Sequence, residues 1–151
     1  MTRHVRIGAG SGFWGDALDP AVELLEKGGI DYLSMDYLAE LTMALLQRQK
    51  LKAPRAGYIP DLPVHMRALL PLAREAGTRI ICNGGGANPR AGAERIRDLA
   101  RELGLHGTRI AVVEGDDLLA RLDELIQTGA DLTNLDTGDK NFAGVRNRVV
   151  A

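Results

Sequence analysis

The stretch GAGSGFWGD (Gly8–Asp16) bears most directly on the fold of this chain. It follows a short apolar run, HVRI (4–7), that is typical of a β-strand. The segment from Gly10 to Gly15 matches the glycine fingerprint of dinucleotide-binding domains. Asp36 lies about 20 residues further on, near where that fingerprint expects an acid that binds a ribose.

The residues after this stretch argue against the fingerprint. A dinucleotide site needs a helix that begins within the glycine turn. Here the best helix start is Asp19-Pro20, because proline suits the first helical position and disfavours helical geometry in the residue before it. The bulky pair Phe13-Trp14 also occupies the turn. The sequence therefore predicts a long open loop after the first strand, and nicotinamide or flavin binding is the least favoured function.

Strand and helix signals alternate along the chain. Strands are predicted over 4–10, 31–38, 78–84 and 109–115, and helices over 19–29, 38–50, 64–76, 89–104 and 116–129. This order predicts an α/β fold: a doubly wound, Rossmann-like, mostly parallel sheet with helices on both faces. The long connection 39–77 is expected to cross the sheet and create a switch point between strands one and three.

Two further expectations concern the layout of the chain. Pro71 should kink the third helix or mark a fresh start. Residues 1–129 are predicted to form the α/β domain with four strands, and 130–151 an irregular tail or the start of a following segment.

Composition limits the classes of function. Apolar residues make up 45% and charged residues 26% of 151 residues, which is ordinary for a globular protein. The net charge of -1 and the 4% aromatic content give no sign of a nucleic-acid partner. No apolar run approaches membrane-spanning length, so a cytoplasmic protein is expected. The single cysteine excludes an internal disulfide, and no cluster of histidine or cysteine suggests a metal site.

Polar, glycine-rich turns follow the predicted strands. Right-handed crossovers place the carboxyl ends of parallel strands at one edge of the sheet, where open α/β sheets bind ligands. Proton transfer at this edge is assigned to Asp16, Asp36 and Glu114. Binding of an anionic substrate is assigned to Gly10, Gly12, Trp14, Glu40, Asn83, Gly84, Gly85, Gly86, Asn88 and Asp116.

The turn NGGGANP (83–89) is the best predicted anion cradle, because it leads into a helix N-terminus. The same glycines and acids also suit ordinary tight turns and helix caps, and their spacing does not separate the two interpretations. No cofactor is indicated.

The remaining reactive side chains are expected to be structural. His4 and His106 belong to the opposite edge of the sheet. His65 opens a helix and is expected at the surface near the functional edge, beside Tyr58 and Asp61, so no Ser-His-Asp arrangement arises. Cys82 is expected in the core. Trp14 fits equally a lid on the core or an aromatic wall of a ligand site.

The motifs RIGAGSGFWGD, DYLSMDYLAELTM, NGGGANP and LTNLDTG resemble, in order, the acyclic terpene utilisation family of the AtuA type. The resemblance implies a place in the bacterial breakdown of citronellol and geraniol, on a branched acyl-CoA. A lyase or hydratase step on a 3-hydroxyacyl-CoA is one implied activity. The motif LTNLDTG adds Asp136 to the candidate site residues that the resemblance implies.

Proteins of this family are usually several times longer, so the resemblance implies an N-terminal domain. Self-association or the remainder of a longer chain would then cover exposed apolar surface. The expected function is an enzyme domain that handles a CoA thioester as substrate. The alternative is a non-catalytic binding or assembly domain of an acyl-CoA degradation complex.

Overall fold

The computed structural model describes residues 4–140, 142–146 and 149. The chain divides into two compact units, Met1–Val113 and Glu114–Ala151, whereas the sequence predicts a boundary after residue 129. Each unit is described by itself.

The first unit consists of strands and helices in α/β order. Its strands are β1 (Ile7–Ser11), β2 (Tyr32–Met35) and β3 (Arg79–Cys82), and its helices are α1 (Asp19–Lys27), α2 (Glu40–Lys52), α3 (Leu62–Ala76) and α4 (Pro89–Glu102). The strands form one parallel sheet in the order β1-β2-β3. The α/β class is therefore confirmed.

The register of the sheet aligns the ends of all three strands. Tyr32 at the start of β2 pairs with Ile7 on one side and Arg79 on the other, and Met35 at its end pairs with Ser11 and Cys82. The register shifts between Ala9 and Ser11, which marks a bulge or irregularity. Bulges commonly re-aim side chains beside functional sites, and this one immediately precedes the glycine loop.

The core lies on one face of the sheet. Leu33 and Met35 of β2 are buried there against Ala21 of α1, Leu69 of α3 and Leu99 of α4. The opposite face carries exposed apolar side chains, with Ile7 68% and Ile81 59% exposed. The helices of the first unit therefore cover one face of its sheet.

Two glycines of the opening stretch allow α1 to pack closely on β1. A Cβ atom at Gly10 would lie 2.6 Å from Met35 Sδ, 2.8 Å from Ala21 Cβ and 2.9 Å from Leu33 Cδ1. A Cβ atom at Gly8 would lie 2.9 Å from Ile30 Cδ1. These separations are shorter than van der Waals contact, so both positions need a residue without a side chain.

Helix ends follow the sequence signals closely. Pro20 stands in the first turn of α1, and the Asn88 side chain accepts a hydrogen bond from Ala91 N–H at the start of α4. Gly77 ends α3 in the left-handed region with φ of 69°. The fresh start expected as one alternative at Pro71 is wrong, because α3 runs through it, and a kink there stays a prediction. Pro71 lies on the exposed side, where the carbonyl group left without an amide partner can bond to water.

The predicted fourth strand, 109–115, is wrong: the structure has no strand there. An apolar run describes side chains only, whereas a strand also needs a paired backbone and a buried face. Ile110, Val112 and Val113 are exposed instead.

The predicted switch point is also wrong, because β2 lies between β1 and β3. Both crossovers move in the same direction, which places their helices on the same face. A doubly wound, Rossmann-like arrangement with helices on both faces is therefore not seen in the described residues.

The second unit contains a short 3-10 helix (Leu119–Arg121) followed by α5 (Leu122–Gln127) and α6 (Phe142–Val145). The fifth predicted helix, 116–129, is thus shorter than expected. Among the described residues, every helix is too short or too polar to span a lipid bilayer.

Candidate functional site

The carboxyl ends of the three strands gather polar side chains at one edge, as the sequence predicts for Asp36 and Asn83. The loop after β1 supplies Asp16, and the loops after β2 and β3 supply Asp36 and Asn83. Hydrogen bonds join the three loops to one another and to the N-terminus of α3. We call this edge of the first unit the strand-end site.

Asp16 closes the glycine loop on itself. Its Oδ2 atom accepts hydrogen bonds from Gly12 N–H at 2.6 Å and Phe13 N–H at 3.2 Å. Successive amides of this kind form an anion-binding nest. The sequence assigns those amides to a substrate anion, whereas in the structure a carboxylate of the same chain occupies them.

A shallow cleft of about 390 Å³ lies beside this loop. It is lined by Ala9, Gly10, Ser11, Gly12, Asp16, Ala17 and Pro20.

Asp36 and Asn83 link the second and third strand-end loops. Asn83 Nδ2 donates to Asp36 Oδ1 at 2.6 Å, and Asn83 Oδ1 accepts from Tyr37 N–H at 2.8 Å. Leu38 N–H also donates to Asp36 Oδ1. The hydrogen bond from Asn83, followed by that from Leu38, lowers the pKa of the Asp36 carboxyl. Asp36 is therefore an exposed, ionised carboxylate at neutral pH, held in one orientation.

Trp14 ties the first loop to α3. Its indole Nε1–H donates to Asp61 Oδ2 at 2.7 Å, and its backbone N–H donates to the carbonyl of Tyr37 at 3.2 Å. The side chain is half-buried and packs against the core cluster. Of the two predicted roles for Trp14, the contact with the core is present, and a role in ligand binding stays a prediction.

Tyr37 and His65 form a pair that sequence reasoning did not find. The Tyr37 hydroxyl lies 3.0 Å from His65 Nδ1, and the rings stack with centroids 5.7 Å apart. Tyr37 is 1% exposed, and this burial raises the pKa of its phenol well above the ordinary value. His65 is partly exposed, and it lies near the functional edge and Asp61 as predicted.

Cys82 ends β3 and is exposed, so its predicted place in the core is wrong. The reason is that β3 lies at an edge of the sheet and has no strand beyond it. Nearby protein atoms still raise the pKa of the thiol, because partial desolvation disfavours the thiolate. The thiol is therefore protonated at neutral pH.

The turn NGGGANP packs tightly against its neighbours. A Cβ atom would lie 2.9 Å from Leu62 at Gly84 and 2.7 Å from Pro89 at Gly85, and Gly86 has φ of 50° beside Leu46. These contacts account for the three glycines as packing positions. Their predicted role in anion binding stays a prediction.

Asn88 connects this turn to the loop before α3. Its Nδ2 donates to the carbonyls of Pro54 and Ala56, while its Oδ1 caps α4. The side chain is thus engaged within the fold, and the helix-cap interpretation is the one the structure shows.

Four candidates remain from the sequence: Glu40, Glu114, Asp116 and Asp136. Glu40 is exposed at the first residue of α2. Glu114, Asp116 and Asp136 belong to the second unit. Asp136 N–H donates to Asn134 Oδ1 in a local turn. Their predicted roles stay predictions.

No group of three or more His, Cys, Asp or Glu side chains within the described part of the chain is placed to hold a metal ion. The residues of the strand-end site bond instead to amides, to an indole and to one another.

The pairing of Tyr37 with His65 has no spacing signal. They are far apart in sequence, and their contact depends on how the N-terminus of α3 sits on the end of β2. The order of polar residues after the strands does predict that Asp36 and Asn83 are neighbours.

A family model described as acyclic terpene utilisation family protein AtuA matches residues 5–151. This match confirms the resemblance seen in the sequence motifs. No curated protein and no solved structure matches the chain.

Proposed function

Because the chain belongs to the acyclic terpene utilisation (AtuA) family, we propose that it is part of a catabolic enzyme that acts on a branched or terpenoid acyl-CoA. The reaction is of the lyase or hydratase type, on a 3-hydroxyacyl thioester, and it takes place at the strand-end site. The CoA thioester is the substrate, and the proposal requires no cofactor.

One observation carries this proposal: an ionised carboxylate and an imidazole lie at the same edge, joined through Tyr37. Asp36 reaches Tyr37 N–H through the Asn83 side chain, and His65 contacts the Tyr37 hydroxyl. Both reaction types move a proton at an oxygen of the substrate and develop negative charge on the thioester oxygen. They therefore need a proton acceptor and a nearby hydrogen-bond donor.

Asp36 is assigned to the substrate hydroxyl. It is exposed and ionised, and the hydrogen bonds described for it use Oδ1. Its lowered pKa keeps it ionised, so that it can accept a hydrogen bond from the substrate hydroxyl, but makes it a weaker base, because a general base works best with a pKa near the working pH. Asp16 is the neighbouring candidate for removal of the proton, since it is among the residues that line the cleft. Glu114 stays a candidate from the second unit.

The test is calorimetry with a branched 3-hydroxyacyl-CoA, followed by a turnover assay of Asp36→Asn. Wild-type protein should bind, and the variant should lose turnover by about a hundredfold or more while it retains its fold. Asp98→Asn is the matched control, because Asp98 is a surface ion-pair residue of α4. Absence of binding by this chain and by a full-length relative refutes the proposal.

A second candidate function is a non-catalytic assembly domain. The exposed apolar side chains Ile7 and Ile81 on the uncovered sheet face favour it. This alternative predicts that a complex forms and that its turnover is unaffected when Asp16 and Asp36 become Asn. Loss of turnover in those variants favours the enzyme.

Dinucleotide binding has the least support. The helix after β1 begins at Asp19, beyond the glycine turn, and Asp16 occupies the amides that a pyrophosphate would need. A thermal shift on addition of NAD, NADP or FAD would be evidence for it.

A further inference from the structure

The buried hydroxyl of Tyr37 constrains the protonation of His65. The phenol O–H lies in the core, where a donor without an acceptor is unfavourable. Among the described residues, His65 Nδ1 is the hydrogen-bond partner of this hydroxyl. The phenol proton therefore points at Nδ1, and a neutral imidazole must carry its own proton on Nε2.

Nε2 faces away from this contact and is open to solvent. No buried side-chain nitrogen or oxygen in the described part of the chain lacks a partner, and no hydrogen bond of Nε2 is found there. Nε2 is therefore accessible to water. The Tyr37–His65 pair therefore exposes the Nε2–H donor to solvent and keeps the Nδ1 acceptor in contact with the Tyr37 hydroxyl.

The surrounding charges act in both directions on the imidazole. The N-terminus of α3, whose first turn contains His65, disfavours a cation. Asp61, one helical turn earlier, favours a cation, but it is exposed and already accepts the Trp14 indole N–H. The thiol of Cys82 is protonated, and Asp36 is engaged by Asn83.

Protonation of Nδ1 would leave the Tyr37 hydroxyl without an acceptor in the core. Of the two neutral tautomers, the one with its proton on Nε2 is therefore favoured.

We propose that Tyr37 is a positioning residue that selects the His65 tautomer with its proton on Nε2, and that His65 Nε2–H donates a hydrogen bond to the thioester oxygen as negative charge develops there. This inference rests on the proposed function. It adds an oxyanion-stabilising donor, His65, to the acids predicted from the sequence.

The first test is nitrogen NMR of protein with 15N-labelled histidine, without any ligand. His65→Gln identifies the resonances of His65 among those of the three histidines. We expect Nδ1 unprotonated and Nε2 protonated at neutral pH in the wild type, and a mixture of both tautomers in Tyr37→Phe. A proton on Nδ1 in the wild type, or an unchanged tautomer ratio in Tyr37→Phe, overturns the inference.

The second test uses the acyl-CoA substrate. His65→Leu should lower kcat by about a hundredfold or more with little change in KM, because the hydrogen bond strengthens only as charge develops. His65→Gln restores an N–H donor and should recover part of kcat, and His106→Gln is the control away from the site. Equal activity of His65→Leu and wild type overturns the inference.

The two tests separate this inference from the proposed function. If the wild type binds no acyl-CoA, the proposed function fails and the thioester role of His65 fails with it. The tautomer measurement still decides whether Tyr37 sets the protonation of His65, because it needs no ligand.

Discussion

Gly10→Ala tests whether the glycine stretch serves packing. The new methyl group would lie below 3.0 Å from Met35 Sδ, Ala21 Cβ and Leu33 Cδ1. The end of Met35 can move, but the Ala21 methyl is fixed to the backbone of α1. Overpacking of this kind costs about 1–3 kcal/mol. The reduced freedom of the unfolded chain offsets about 0.4–1 kcal/mol of that.

We therefore expect Gly10→Ala to lower the free energy of unfolding by about 1–2 kcal/mol. Urea unfolding, followed by the fluorescence of the single tryptophan, Trp14, reports on the first unit. With a slope of about 2 kcal/mol per molar urea, the midpoint should fall by about 0.5–1 M.

Gly12→Ala is the matched control from the same stretch. A Cβ atom there meets only Asp16 Oδ2, at 3.6 Å, so the change in stability should stay within about 0.5 kcal/mol. A Gly10→Ala protein as stable as the wild type, or a larger loss in Gly12→Ala, would refute the packing argument.

Three further predictions concern the strand-end site. Asn83→Ala should raise the pKa of Asp36 towards 3.8, as measured by NMR titration. The difference in free energy of unfolding between the variant and the wild type should narrow as pH falls below 3.8, because the Asp36 carboxylate is then protonated. The phenol of Tyr37 has its pKa raised by burial above 10.0, so the wild type should lose stability above pH 10 in alkaline unfolding, and Tyr37→Phe should lose less. Asp61→Ala should remove the acceptor of the Trp14 indole, speed hydrogen exchange at its Nε1 and lower stability by about 0.5–1.5 kcal/mol; unchanged exchange would contradict this role.

Local signals in the sequence predicted the first three strands and the helices between them. Pro20 and Asn88 mark the starts of α1 and α4 because their effects are local to the backbone. The prediction of a fourth strand was wrong. Residues 109–115 have the side-chain pattern of a strand, but a strand also depends on pairing with a neighbouring strand, which the pattern does not contain. The predicted order of the strands was wrong for a related reason. The length of the connection 39–77 does not determine beside which strand the chain re-enters the sheet.

In the candidate site, too, some features were predicted from the sequence and others were not. The rule that parallel strands end at one edge brought Asp36 and Asn83 together correctly. That Asp16 would occupy its own loop was not predicted, because a carboxylate four residues from an amide serves equally as a cap or as a free group. The contact between Tyr37 and His65 depends on tertiary packing and has no local signal.

The hydrogen bonds of Asp16 have a consequence for ligand selection. A carboxylate tethered a few residues from its amides competes at an effective concentration of about millimolar or more. A small free anion that approached these amides would have to exceed that concentration to displace it. The amides of the loop are therefore already occupied by the Asp16 carboxylate of the same chain. They discriminate against dissolved carboxylates without any steric barrier. We therefore expect a substrate of the proposed site to bind beside the resident carboxylate.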